Sequence, residues 1–302
     1  MDSISISDIK QLARSKNAII LAHNYQPPEI QDAADLVGDS LELSIKAKGT
    51  DADIIVFCGV SFMAETAAII CPDKKVILPR KEAGCAMADM LTPSQLRKEK
   101  EKYKDVPVVT YVNSTAEVKA ESTICCTSAN SIAVVNSLAE DQALMVPDRN
   151  LAAWTALNTD KKIHYWNGYC PVHDALTEED VKQVLADNPG AELMVHPECR
   201  PSVVALAHEV KSTSGMLAYP EKSSARKFIV ATEVGMIYPL QKRYPDREFI
   251  PASPKMVCKD MKLISLRDLF MAIKEEAPVI KIEEDIRQSA IETISRMIDL
   301  SR

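Results

Sequence analysis

Residues 18–40 read AIILAHNYQPPEIQDAADLVGDS. The apolar run 18–22 has the length of a strand, not of a buried helix. It enters the polar loop HNYQPPE, passes through a helix-length segment and ends on GDS at Ser40. The same order returns twice. Run 106–112 enters NSTAE and then TSAN with Ser128, and run 191–195 enters HPECRP and then STSG with Thr213. Two further apolar runs follow in each unit, at 54–57 and 76–78, 143–146 and 162–165, and 227–231 and 248–250. Cys85, Cys170 and Cys258 close the units at intervals of 85 and 88 residues, and the loops at His23, Asn113 and His196 open them at intervals of 90 and 83. Each period fits one small α/β domain.

Short strands rich in Ile and Val, alternating with helix-length segments, indicate parallel sheets buried on both faces. Sites in such sheets form beyond the carboxyl ends of strands. The expected fold is therefore α/β, with domains at 1–84, 85–170 and 171–261 facing one axis. Helical patterns lie outside the repeat. Ile9, Leu12 and Ala13 mark one near the start, and Ile286, Ala290, Ile294 and Met297 mark another near the end. Ser265 is expected to cap a helix over 266–274, with Pro278 breaking the chain after it. The tail 262–302 is expected to pack back on the first domain. Ser40 and Ser128 read as helix N-caps before 41–47 and 129–138.

At 302 residues, 46% hydrophobic and 26% charged, the composition excludes a disordered chain. The longest apolar runs fall short of the roughly 18 to 20 residues that cross a bilayer. The opening MDSISISDIK has neither a basic start nor an apolar core, so a cytoplasmic protein is expected. A net charge of −7 without a basic face argues against nucleic acid. Neither a Walker loop nor GxGxxG is present, so no nucleotide cofactor is indicated.

Eight cysteines in a reducing compartment point to metal ligation or buried thiols, not disulfides. Cys85, Cys170 and Cys258 hold one place in each repeat, so threefold packing would bring three thiolates to one point. Three protein ligands would leave one iron of a [4Fe-4S] cluster open to substrate. Zinc with three cysteines and water is the competing metal reading. Cys58, Cys71, Cys125, Cys126 and Cys199 lack threefold partners and read as buried small hydrophobes. Met63 and Met87 read as packing, and His164 and His208, the latter on a helix, as structural or surface residues. The densest polar chemistry lies in the strand-end loops: His23, Asn24 and Tyr25; Tyr111, Asn113 and Ser114; His196 with Glu198, a candidate acid/base pair. His173 follows Cys170 closely enough to face the same centre. Ser40, Ser128, Ser212 and Thr213 sit at helix starts, where free amides take carboxylate or phosphate.

Taken in order, AHNYQPPEIQDAADLVGDSLELS, FMAE, GCAMADM, YVNSTAE, TSAN, PDRNLA, GYCPVH, MVHPEC, STSGM, TEVGM and CKDMK cover almost the whole chain. This ordered set resembles the quinolinate synthase family, the bacterial and archaeal A-proteins of NAD biosynthesis. The resemblance implies three similar α/β/α sandwich domains in pseudo-threefold arrangement around a central active site. It implies a [4Fe-4S] cluster on Cys85, Cys170 and Cys258. Substrate binding would fall to His23, Ser40, Tyr111, Val112, Asn113, Ser128, His173, His196, Pro197, Glu198, Ser212 and Thr213, with Tyr25, Tyr111, His196 and Glu198 as the catalytic set. The implied reaction condenses iminosuccinate with dihydroxyacetone phosphate to quinolinate, phosphate and water, with the open iron as Lewis acid. L-aspartate oxidase or aspartate dehydrogenase would supply the iminosuccinate.

Two departures from the family pattern stand out. Tyr169 occupies the position before the middle cysteine where relatives often have His, and the CxxCxxC tail of some relatives is missing. Two rivals share parts of this pattern. A diphthamide-synthesis enzyme has the same architecture and one cluster cysteine per domain, but the HNYQPPE and HPE loops speak against it. An iron-sulfur electron carrier needs no polar loops aimed at one point and would normally have four protein ligands.

Overall fold

Twelve strands form three four-stranded parallel sheets in a computed structural model that describes residues 4–301. The first sheet holds β1 (Ala18–His23), β2 (Leu36–Gly38), β3 (Ile54–Cys58) and β4 (Lys75–Ile77). The second holds β5 (Val108–Tyr111), β6 (Ile124–Cys126), β7 (Gln142–Val146) and β8 (Lys162–Tyr165). β9 (Glu192–Val195), β10 (Glu209–Val210), β11 (Lys227–Ala231) and β12 (Glu248–Pro251) make the third. Each sheet has the same spatial order, in which the first strand of the unit lies between the second and third: β2-β1-β3-β4, β6-β5-β7-β8 and β10-β9-β11-β12.

Side chains alternate across a strand, and the two faces of each sheet go to different cores. Ile20, Ala22 and Val56 of the first sheet meet Ile9 and Ala13 of the helix Ile6–Ser15 and Leu269 and Ile273 of the helix Leu266–Glu275. Leu193, Val195 and Ile229 of the third pack with Val181 and Val203, and Val108, Leu144 and Val146 of the second with Leu96 and Val118. The opposite faces share one core: Leu21, Ile55 and Phe57, Val109 and Met145, and Met194, Phe228 and Val230 belong to a single buried group. Burial at about 25 cal/mol per Å² of apolar surface makes this shared core the main force joining the sheets.

Local details differ from the sequence-based expectations at several points. Asp39, not Ser40, caps the helix Ser40–Lys48, its Oδ1 accepting the amides of Leu41 and Glu42 at 3.0 Å. One oxygen of the Asp39 carboxylate reaches both amides at once, and Ser40 becomes the first helical residue. Ser128 lies in a turn, and Asn130 holds the N-cap position of the shorter helix Ser131–Asn136. Ser265 does cap Leu266–Glu275, by a reciprocal pair with Asp268. That helix returns to the first sheet, against Ile6–Ser15 and β3. The last helix, Glu284–Asp299, instead lies mainly on Ala116–Ala120 and β6 of the second sheet and also touches Ser61–Ile70. His208 is not helical; it stands just before β10, and its Nδ1 accepts the Leu193 amide at 3.0 Å. His164 bonds Gln142 across the edge of the second sheet. Among the described residues no helix is long and apolar enough to cross a membrane.

Candidate active site

β1, β5 and β9 are the first strands of their units, and their carboxyl ends bring His23, Tyr111 and the following His196 to one cavity of about 360 Å³. Segments after the neighbouring strands β2, β6 and β10 add Ser40 and Thr213, each the first residue of a helix, and Ser128 in a turn, and the loops after β4, β8 and β12 add Cys85, Cys170 and Cys258. Tyr25, Asn113, His173 and Glu198 also line it. Asn113 Oδ1 is buried and bonds no protein donor among the described residues, which suits it to accept from a ligand.

Two histidines are fixed in the same way. His23 Nδ1 accepts the amide of Tyr25 at 3.2 Å, and His196 Nδ1 accepts that of Glu198 at 3.4 Å. A ring nitrogen that accepts carries no proton, so each ring holds its hydrogen on Nε2. Burial pushes both imidazoles down to about 3. They are therefore neutral donors at physiological pH.

Glu198 lies at the centre of a buried network. Its Oε1 accepts the Tyr111 hydroxyl at 2.5 Å, and its Oε2 lies 2.8 Å from His173 Nδ1. Burial alone would raise this carboxyl, but the facing His173 and the hydrogen bonds of His173 and Tyr111 outweigh it and hold the carboxyl below its usual range. On its other side His173 Nε2 lies 2.8 Å from Thr232 Oγ1, which meets the Tyr25 hydroxyl at 2.5 Å. Burial and the charge of Glu198 push both tyrosines well above 10, so their phenols stay protonated. An ionised carboxylate and a protonated phenol are thus linked through one imidazole and one hydroxyl.

The three repeat cysteines lie close enough for a thiolate at Cys85 to raise Cys170, and one at Cys258 to raise Cys85. Burial is the larger influence and pushes Cys85 up to about 12, with Cys170 and Cys258 raised as well. Nearby backbone amides oppose this: those of Met87 and Ala88 favour the thiolate at Cys85, that of His173 at Cys170, and those of Asp260 and Met261 at Cys258. Each cysteine lies one to three residues before a short helical turn: Ala88–Met90, Pro171–Asp174 and Asp260–Lys262. Three thiols on one wall, with amide donors in place for thiolate charge, fit a cluster with three protein ligands. Cys170, His173 and Glu198 also bring ligand atoms within 4.8 Å of one another, a second donor set that shares Cys170. The other five cysteines are buried in the cores, outside the cavity.

Of the residues expected at the site, Val112, Pro197 and Ser212 do not line the cavity. Val112 donates its amide to Cys126, and Ser212 caps the helix Thr213–Ala218 through the Gly215 amide at 3.3 Å. Met63 and Met87 are packed as expected, yet both also line the wall. Tyr169 stays outside, its ring 4.4 Å from the Arg149 guanidinium. Thr232, Asp148 and Glu233 were not among the expected residues, although TEVGM and PDRNLA contain them. Lys255 and Lys259, exposed and lining the cavity, were also missed. No motif contains Lys255, and CKDMK contains Lys259 without singling it out; the loop before and after Cys258 carries both there.

A cavity at the strand ends of three parallel sheets, holding a linked acid, base and thiol set, defines an enzyme of the α/β class. A profile of the family described as Quinolinate synthetase A protein matches residues 7–299. The chain belongs to that family. It is 53% identical over 296 residues to the quinolinate synthase of Geobacter sp. (strain M21), covering 98% of this chain and 97% of that one. Quinolinate synthase of Dehalococcoides mccartyi (strain CBDB1) is 51% identical over 290 residues, 96% of each chain. That of Thermodesulfovibrio yellowstonii is 48% identical over 297 residues, 98% of each.

Proposed function

We propose that this chain is a quinolinate synthase acting in NAD biosynthesis. It condenses iminosuccinate with dihydroxyacetone phosphate, giving quinolinate, phosphate and two molecules of water. One C–C and one C–N bond form between the substrates, while the C–O bond to phosphate and two C–O bonds to departing water break. The observation that carries this reading is the Tyr111–Glu198–His173–Thr232–Tyr25 chain of contacts beside Cys85, Cys170 and Cys258 in one cavity. We read domains 1–84, 85–170 and 171–261 as pseudo-threefold partners around that cavity; the shared strand order and the common core support this.

In this reading Cys85, Cys170 and Cys258 hold a [4Fe-4S] cluster, which when bound supplies a Lewis-acid iron without a protein ligand. Glu198, ionised and dry, accepts a proton from the carbon beside the imine. Tyr111 steadies the charge on one carboxylate oxygen and His173 on the other. The Tyr25 phenol gives a proton to a departing oxygen and regains it through Thr232 and His173. His23 and His196, as Nε2–H donors, bind substrate carboxylates together with the hydroxyls of Ser40, Ser128 and Thr213. Asn113 Oδ1 accepts from the imine nitrogen. Lys255 and Lys259 suit the phosphate, because a cation neutralises it as it leaves.

Anaerobic reconstitution followed by assay with both substrates tests the proposal. Quinolinate formed only by the iron-loaded protein supports it. A stoichiometric zinc content with no iron, or loaded protein that makes no quinolinate, overturns it.

A further inference from the structure

One backbone joint recurs after the third strand of every unit. The amides of Ser61, Arg149 and Val234 donate to the carbonyls of Ala83, Gly168 and Met256 at 2.8, 2.8 and 2.9 Å. Each acceptor stands two residues before Cys85, Cys170 or Cys258. In two units the residue preceding the donor is a buried acid that takes the amide of the cysteine itself. Asp148 Oδ2 accepts from Cys170 N at 3.1 Å, and Glu233 Oε1 accepts from Cys258 N at 3.1 Å. In the first unit that residue is Val60, which has no side-chain acceptor.

The remaining oxygens are also used. Asp148 Oδ1 accepts the Leu151 amide at 2.8 Å, and Glu233 Oε2 accepts the Gly235 amide at 2.7 Å and the Lys262 ammonium at 2.9 Å. Lys262 donates in turn to the Tyr25 carbonyl. A Cβ at residue 235 would lie 2.7 Å from Glu233 Oε2 and 2.8 Å from Lys262 Nζ, so only glycine leaves room for this junction. The two acids are 2% and 1% exposed. Burying a carboxylate is costly unless its oxygens are satisfied. These are satisfied by tying a strand end to a cysteine loop.

We propose that Asp148 and Glu233 are positioning residues that fix the backbone of Cys170 and Cys258 for cluster binding, while the Cys85 loop is held without such a carboxylate. This rests on the cluster reading above.

Asp148→Asn and Glu233→Gln keep size but replace one oxygen by an NH₂ group that must face an N–H donor. Iron should be counted in anaerobically reconstituted protein, and its loss to a chelator timed. Both variants should lose iron about 10-fold faster than the unaltered chain or more, in line with the loss when a partner behind a metal ligand is removed. Val181→Ala, a cavity in the outer core of the third sheet, is the control. It should lower the melting temperature and leave iron loss unchanged. Asn and Gln variants that hold iron as long as the unaltered chain would overturn the proposal; unaltered protein that takes up no iron would overturn the cluster reading beneath it. A second measurement needs no variant. In ¹⁵N-cysteine protein without iron, the Cys170 and Cys258 amides should exchange slowly with solvent, and exchange as fast as an exposed loop would overturn their carboxylate bonds.

Discussion

Glu198 and His173 meet at 2.8 Å, Oε2 to Nδ1, although one follows β9 of the third sheet and the other follows β8 of the second. The same imidazole nitrogen lies 3.1 Å from Cys170 Sγ. The contact joins the proposed base to the thiol wall across two sheets. It makes Glu198 the residue whose charge matters most.

Glu198→Gln should therefore leave the fold and the iron content intact and slow quinolinate formation by about 100-fold or more, the usual loss when a general base is removed. Circular dichroism, iron analysis and a turnover assay on one preparation check all three parts. Equal turnover in the two proteins would return Glu198 to a structural role.

Thr232 is expected to matter because its hydroxyl joins the Tyr25 phenol to His173. Thr232→Val keeps the shape and removes the hydroxyl. Its rate should fall by roughly 10- to 100-fold, and adding Tyr25→Phe should cost less in that background than in the unaltered chain. Fully additive effects in such a double-mutant cycle would show that the two hydroxyls act separately.

Acid should weaken one surface junction in a definite window. Glu276 bonds Lys16 at 2.7 Å and Lys75 at 2.5 Å, and those lysines hold its carboxyl at about 2. A folded value below the unfolded one, about 4.3, gives stability that is complete above the unfolded value and lost as pH falls through the folded one. The urea midpoint of the unaltered chain should exceed that of Glu276→Gln at pH 7. The gap should narrow below about pH 5 and vanish only below about pH 2, and salt should shrink it throughout.

The tail offers a test of packing. Ile294 is fully buried in the helix Glu284–Asp299, against the core shared by the three sheets. Ile294→Ala should lower unfolding free energy by about 2 to 5 kcal/mol in urea titration. A loss under about 0.5 kcal/mol would mean that this helix is not part of the cooperative core.

Strands and repeat cysteines were legible because both are periodic: apolar runs such as 18–22 and 227–231 carry their own signal, and Cys85, Cys170 and Cys258 keep their intervals. The strand-end loops announced His23, Tyr111 and His196 for the same reason. What stayed hidden depends on partners from elsewhere in the chain. Asp148 and Glu233 acquire their meaning from cysteines 22 and 25 residues away, and Thr232 from Tyr25 and His173. Ser40 was misread as a cap because aspartate next to it competes for the same amides. The stripe Ile286, Ala290, Ile294 and Met297 revealed an apolar helix face but not that the second sheet would be its main partner.

The most direct measurement is a single anaerobic experiment on the unaltered chain and on Cys85→Ser, Cys170→Ser and Cys258→Ser, each reconstituted, analysed for iron and given both substrates. The unaltered chain should bind about four iron ions and form quinolinate, and each variant should lose the cluster and the product together. Quinolinate formed at an undiminished rate by any of the three variants would contradict the cysteine-held cluster at the centre of this site.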